Sequence, residues 1–386
     1  MAQDTLRELS NTACIVGAAE SDEMGILPHK SQMALHLESI SNAVADAGLK
    51  VSDVDGIFTA GAHSPALIAE ALGITPRYVD GTSVGGCSFI IMVEHAVAAL
   101  HHHLCDVAVI THGESGRSQA GVTRVRDTSI AGSYEIPYGF GAPPTWFGLI
   151  TTRHMHEYGT TLEQWAQVAV STRAWAGLNP KAMYRDPLTI EQVLKAKMIA
   201  YPFTVLNICL VTDAGGAIVL TRADRARDCV KKPVYVRGMG EATEHVSVTQ
   251  MKGLPMSKAT KMSSERAFKM AGVSHGDFDH LMLYDAFTSG PPIMLESMGF
   301  AKPGEGVSFF ANGKSTPGGS LPINTNGGGL SYTHTGMYGM FPLIEATRQL
   351  RGECGARQVP NVKLSLVNGM GGMLSAAGTC VLSNEK

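Results

Sequence analysis

Two segments far apart in the chain carry the residue types of an activated thiolate. Gly85-Gly86-Cys87-Ser88-Phe89 runs into a long apolar stretch, and Asn324-Thr325-Asn326-Gly327-Gly328-Gly329-Leu330-Ser331-Tyr332-Thr333-His334 is a glycine-rich turn ending in histidine. A cysteine at the mouth of a helix meets backbone N–H groups and the positive end of the dipole, both of which favour the thiolate. A histidine, with an ordinary pKa of about 6.5, can take and return a proton at neutral pH. Tyr284 and Tyr332 add phenols able to donate to an oxyanion or act as acids. Asn368, in Val367-Asn368-Gly369-Met370-Gly371-Gly372, heads a run whose backbone N–H groups could face an oxyanion. Each residue also has an inert reading: a small filler at a helix start for Cys87, a cap for His334, buried packing for the tyrosines, a tight turn for the glycines.

Composition narrows the setting. The chain has 386 residues, 44% apolar and 17% charged, with a net charge of −3, enough for a large core in two or three domains or one duplicated unit. No basic run alternates with aromatics, which argues against nucleic acid. The seven cysteines are widely spaced with no C-x-x-C, so neither a zinc site nor a disulfide framework is encoded; reduced thiols point to the cytoplasm. The N-terminus lacks a signal pattern, and no apolar run reaches the roughly 18 residues that span a membrane. His101-His102-His103 offers no helical i, i+4 pair and reads as a solvated helix end.

The elements that must position the candidate residues repeat. Asp46-Ala47-Gly48 followed by Asp53-Val54-Asp55-Gly56-Ile57 matches Met270-Ala271-Gly272 followed by Asp277-Phe278-Asp279-His280-Leu281 at the same internal distances. Each follows a helix-like stretch, 31–47 and 258–271, that a glycine can stop. Strands are predicted at 12–17 and 234–238, 54–60 and 280–284, and 107–112 and 362–368, with long helices at 88–103 and 336–351. Alternating strands and helices predict a mostly parallel sheet and two similar α/β halves. The domains expected are an N-terminal half over 1–114 plus 213–229, an inserted loop or cap domain over 115–212, and a C-terminal half over 230–386.

Duplicated α/β halves, a helix-mouth cysteine and a late glycine-rich turn ending in histidine resemble the thiolase superfamily, and its sterol-carrier-protein-thiolase-like branch in particular. Val84 to Ser88 is similar to the nucleophile segment. His154 to Gly159 and Thr212 to Ala217 resemble motifs flanking the family's loop domain, and Asn324 to Ser331 with His334, continued by Gln349 to Gly352, resembles the family's N-P-S-G-G-x-x-S-x-G-H segment. Two motifs depart. Tyr284-Asp285-Ala286-Phe287 stands where the family carries Asn-Glu-Ala-Phe or His-Asp-Cys-Phe, and the last motif, around Asn368, has neither Cys nor His.

The resemblance implies a duplicated thiolase fold, two βαβαβαββ halves in α-β-α-β-α layers with an inserted loop domain, and a homodimer core. It implies thiolytic cleavage of a branched or aryl β-ketoacyl-CoA through an acyl-Cys87 intermediate, with coenzyme A as co-substrate and no metal in this chain. His334 and Tyr284 would steady the first oxyanion, Tyr332 is a further candidate acid, and the backbones of Cys87, Gly369, Gly371 and Gly372 would hold the second. The departures resemble thiolase subunits of aromatic-hydrocarbon degradation, such as those acting on benzoylsuccinyl-CoA, which pair with a small zinc-ribbon/OB-fold subunit. Two alternatives stand beside this: retro-aldol cleavage of a β-hydroxyacyl-CoA by Tyr284 and Tyr332, as in aldolases that shorten steroid side chains, and a non-catalytic acyl-CoA-binding subunit.

Overall fold

The computed structural model describes residues 7–120, 122 and 130–386. The outer N-terminal residues and part of the expected insert, 121 and 123–129, lie outside the described residues. Nine strands form one sheet: β1 (Ala13–Glu20), β2 (Gly56–Thr59), β3 (Tyr78–Asp80), β4 (Val107–Ser115), β5 (Asp213–Arg222), β6 (Val234–Thr243), β7 (His280–Leu283), β8 (Leu364–Gly371) and β9 (Ala376–Ser383). Their order is β3-β2-β4-β5-β1-β6-β9-β8-β7. Read outward from the β1–β6 junction, the two sides repeat: β1, β5, β4, β2 on one and β6, β9, β8, β7 on the other. At the junction only Cys14 and Ile15 pair, with Tyr235 and Val234.

The helices complete the layers. α1 (Gln32–Asp46) packs on β1, β4 and β5, and α5 (Lys258–Ala271) packs on the equivalent β6 and β9. Between the half-sheets lie α2 (Ser88–His101) and α7 (Met340–Arg351), each touching strands of both halves. Their apolar faces share one core, with Phe89, Met92, Val93 and Val97 from α2 and Met340, Leu343, Ile344 and Leu350 from α7. The fold is therefore the α-β-α-β-α arrangement of two halves that the sequence predicts.

The mostly parallel sheet is a misreading. Parallel pairing is confined to β2 with β3 and β4, and β7 with β8. The pairs β1–β5, β1–β6, β8–β9, β6–β9 and β4–β5 are antiparallel. The strands responsible, β5 and β9, open with Asp213-Ala214-Gly215-Gly216 and Ala376-Ala377-Gly378, which lack the β-branched signature of a strand. They are small because helices press on them: a Cβ on Gly215 would sit 2.5 Å from the Leu35 carbonyl, and one on Gly378 would sit 2.9 Å from Ile91.

The repeated aspartates do the same work in both halves. Asp53 accepts the Lys50 N–H (2.8 Å) and Asp277 the Ser274 N–H (2.7 Å), each closing a single 3-10 turn. Asp55 accepts the N–H groups of Asp106 and Val107, and Asp279 those of Lys363 and Leu364, so each holds the start of the next core strand. Gly48 and Gly272 end their helices at φ +73° and +67°, a conformation that costs glycine little.

The chain leaves the sheet after Ser115 and returns at Asp213, which face each other across β4 and β5. The excursion holds α3 (Pro143–Tyr158), α4 (Leu162–Leu178), a shorter helix Ile190–Lys195 and a small ribbon of Met198–Ala200 against Phe203–Thr204. After β7 the chain turns through Tyr284 to Phe287 into α6 (Gly290–Met298). Replacing Asp279 with Ala removes two charge-assisted bonds to strand N–H groups and should lower stability by about 1–3 kcal/mol, read by urea unfolding.

Candidate active site

A cavity of about 530 Å³ opens where the N-terminus of α2, the ends of β4, β7 and β8 and the turn ending in His334 converge under the β4–β5 excursion. Glycine makes the convergence possible. A Cβ on Gly85 would lie 2.4 Å from the Gly372 nitrogen, and one on Gly339 would lie 2.3 Å from the Gly86 carbonyl oxygen. The Gly339 N–H donates to that same oxygen at 3.1 Å. The mouths of the two equivalent helices α2 and α7 thus meet at the site.

Tyr284 stands directly after β7, its N–H bonded to the Asn368 carbonyl (3.1 Å). Its phenol fills the space that a side chain at residue 86 would take: a Cβ there would be 2.2 Å from the phenolic oxygen. That oxygen accepts the Tyr338 N–H at 3.0 Å and lies 3.2 Å from Nε2 of His334. The Gly336 N–H donates to Nδ1 of His334 at 3.3 Å, so Nδ1 is the unprotonated nitrogen and Nε2–H donates to the phenolic oxygen. Burial holds His334 down at about 4, so the ring is neutral at pH 7. With two donors already on its oxygen, Tyr284 is left with its own O–H to turn toward the cavity. Burial, with Cys209 nearby, pushes its pKa well above the ordinary value, against the pull of the Tyr338 N–H, so the phenol keeps its proton.

Cys87 caps α2 as expected, its carbonyl accepting the N–H groups of Ile90 and Ile91. The side chain is wholly buried in a small apolar cluster with Val84, Ile91 and Ala376. It points toward the β8–β9 pair, since a Cβ on Gly371 would lie 2.8 Å from its sulfur. It is not among the residues lining the cavity. Burial pushes its thiol up to about 12, outweighing the N–H groups around it.

The other sequence candidates divide. Tyr332 is turned away from the cavity and donates its hydroxyl to Glu20 Oε1 at 2.7 Å, inside a buried cluster with Arg348. Asn368 is buried in the sheet, its amide donating to Thr379 Oγ1 (2.8 Å), and it serves the site by the carbonyl that holds Tyr284. Gly369 and Gly371 lie in the β8–β9 ladder; of the four backbone candidates, Gly372 is the one that lines the cavity. Among the described residues no group of three or more His, Cys, Asp or Glu could hold a metal ion, and no helix is long and apolar enough to cross a membrane.

Two cavity residues escaped the sequence reading. Cys209 lines the cavity, but it follows the mainly apolar run Phe203-Thr204-Val205-Leu206-Asn207-Ile208, which carries no mark of a site. Glu114, at the end of β4, lines the cavity and is raised to about 7 by burial, partly opposed by the Met337 N–H. The available signal was an acidic residue at the carboxyl end of a buried strand, where α/β folds place ligands. Gln119 and Thr335 also line the wall, and most of the rest is apolar, with Phe147, Ile208, Phe287, Met370 and Met373. A neighbouring hollow shares Ile208 to Val211 with it and carries Arg117 and Arg173.

Residues 240–384 match the family model described as thiolase C-terminal domain-like. The chain is 33% identical over 363 residues to a 17-hydroxy-3-oxo-4-pregnene-20-carboxyl-CoA lyase of Mycobacterium tuberculosis, spanning 89% of this chain and 92% of that one. It is 29% identical over 232 residues to the benzoylsuccinyl-CoA thiolase subunit BbsB of Thauera aromatica, spanning 58% and 60%. Among solved structures, the Ltp2-ChsH2(DUF35) aldolase superposes with a TM-score of 0.90 at 29% identity, over 98% of this chain and 99% of that one. Two glycine-joined halves, a cysteine at one helix mouth and a histidine turn at the other fit these relatives: the chain belongs to the thiolase superfamily, in its sterol-carrier-protein-thiolase-like branch.

Proposed function

We propose that this protein is a carbon–carbon lyase that cleaves a β-hydroxyacyl-CoA by a retro-aldol reaction. The observation that carries this is the contrast between two side chains. The Tyr284 phenol faces the cavity with two N–H donors already on its oxygen, while the Cys87 sulfur lies outside the lining with a thiol that stays protonated. As the C–C bond breaks, its electron pair passes into the thioester as an enolate, and Tyr284 delivers its proton to the enolate carbon. The phenolate left behind is steadied by the Tyr338 N–H and by Nε2–H of His334, donors in place before the reaction begins. The lyase relative and the aldolase superposition support the same chemistry.

The apolar, aromatic-lined cavity suits a bulky acyl group. The hollow beside it suits the coenzyme A portion, with Arg117 at its exposed rim placed to meet phosphate. The segment 115–212, which supplies Phe147 and Ile208 to Val211, acts as the cap between them. A DUF35-type subunit is proposed as partner because the superposed structure is an Ltp2-ChsH2(DUF35) aldolase. Thiolysis through Cys87 is the second reading, favoured by the seat of Cys87 at a helix mouth beside the cavity and by the thiolase relative. It would require the thiol to turn from its apolar cluster.

A direct test offers two synthetic thioesters to the chain, with and without a DUF35 subunit: 3-hydroxy-3-phenylpropanoyl-CoA, and the corresponding 3-oxo thioester together with free CoA. The lyase reading expects benzaldehyde and acetyl-CoA from the first and no acyl adduct on Cys87 from the second by intact-protein mass. Benzoyl-CoA formation and a Cys87 adduct would overturn it. Tyr284→Phe should lower kcat about 100- to 10,000-fold, the usual worth of a positioned acid, whereas Cys87→Ala should stay within about threefold of wild type. Arg117→Ala should raise KM about 2- to 5-fold, as an exposed charge contact does, with kcat unchanged.

A further inference from the structure

Retro-aldol cleavage also needs a base for the β-hydroxyl proton, and Tyr284 enters the step as an acid. We propose, resting on the lyase reading above, that Glu114 is this base: its carboxylate takes the substrate hydroxyl proton from one side of the cavity while Tyr284 gives its proton to the enolate carbon from the other.

The geometry is a built seat for a carboxyl group. Glu114 is the penultimate residue of β4, projecting from the end of a core strand into the cavity that Tyr284 and His334 also line. Opposite it, Gly336 adopts φ +134°, and a Cβ there would fall 2.5 and 2.6 Å from the two carboxyl oxygens. The turn after His334 therefore carries glycine where the carboxyl group needs room. Oε2 of Glu114 is closed off from solvent and has no hydrogen-bond partner among the described residues, while the side chain as a whole is 29% exposed and lines the cavity.

Nothing charged around Glu114 neutralises it. On its own strand, Nε2 of His112 is 3.9 Å from Oε2, but burial holds that ring neutral, down at about 3, and the same nitrogen is bonded to Thr335 Oγ1 at 2.6 Å. From the glycine-rich turn comes His334, also neutral, and from the end of β7 comes Tyr284, protonated. Among the described residues no Lys or Arg pairs with the carboxylate. Burial without a counter-charge raises Glu114 to about 7, where a carboxylate is a far stronger base than an ordinary glutamate and is still ionised in half the molecules at neutrality.

The step balances without a further reagent. The β-hydroxyl O–H breaks and its proton goes to Glu114. The carbinol carbon becomes a carbonyl as the Cα–Cβ pair enters the thioester, and Cα gains the Tyr284 proton. Once the products leave, Glu114 gives its proton to water and the Tyr284 phenolate takes one from water, which resets both groups. Nothing is oxidised or reduced.

The experiment is a pH profile of kcat/KM between pH 5.5 and 9 on 3-hydroxy-3-phenylpropanoyl-CoA, using wild type, Glu114→Gln and Glu114→Asp with the DUF35 subunit present. Because the base must be ionised, wild-type kcat/KM should rise tenfold per pH unit below about 7 and level off above it. Glu114→Gln should lose about 100- to 10,000-fold in kcat and lose that rise, while Glu114→Asp keeps the rise at a reduced plateau. Glu114→Gln within threefold of wild type with the same rise would overturn the assignment and leave the lyase reading standing. So would a flat wild-type profile, which needs no variant to fold. Absence of cleavage by wild type would overturn the lyase reading and the role of Glu114 with it.

Discussion

The site depends on the closeness with which two glycine turns meet. Gly85 at the mouth of α2 touches Gly371 and Gly372 at the end of β8, and Gly339 at the mouth of α7 touches Gly86. A Cβ on Gly85 or Gly339 would fall 2.4 or 2.3 Å from a facing backbone atom, well inside van der Waals contact, and would force the two halves apart. With the backbones in contact, the phenol of Tyr284 can lie across residue 86 and still reach His334 and the Tyr338 N–H. The glycines thus set the distance between first-half and second-half groups, and acid–base geometry follows from that distance.

Burial then decides which groups can move protons. His112 and His334 are held neutral, the Cys87 thiol and the Tyr284 phenol are held protonated, and in each case the largest cause is loss of water around the charged form. At Cys87 and Tyr284 the nearby N–H groups act in the opposite sense and are outweighed. Glu114 is shifted the same way, yet its ordinary value is low enough that the shift brings it to neutrality instead of away from it. One kind of environment therefore keeps a thiol protonated and brings a carboxyl group near neutrality.

Much of the architecture was legible because the two halves repeat local instructions. Asp55 and Asp279 recur at one spacing because each must hold the first N–H groups of a core strand, and Gly48 and Gly272 recur because each ends a helix in the left-handed region. Strand direction was not legible: β5 and β9 open with small residues that must yield to the helices packed on them, and size selected by a neighbour leaves no periodic trace. In the site, the positions of Cys87 and His334 at turn and helix mouth could be read, whereas the direction of a thiol could not. Nor could the attachment of Tyr332 to Glu20, a partner at the other end of the chain. Glu114 was passed over because an acidic residue at a strand end is ordinary until the glycine opposite it is known.

The junction between β1 and β6 has a consequence of its own. In strand register only Cys14 and Ile15 pair there, flanked by the Asn11 N–H to the Val236 carbonyl and the Ser10 hydroxyl to that of Arg237, and α2 and α7 with the core they share add to the tie. Glu114 belongs to one half and Tyr284 with His334 to the other. An opening of this narrow seam, even with every helix and strand intact, would pull acid and base apart. Under the lyase chemistry proposed for this site, turnover would gauge whether the seam is shut, a finer measure of nativeness than helical content or compactness.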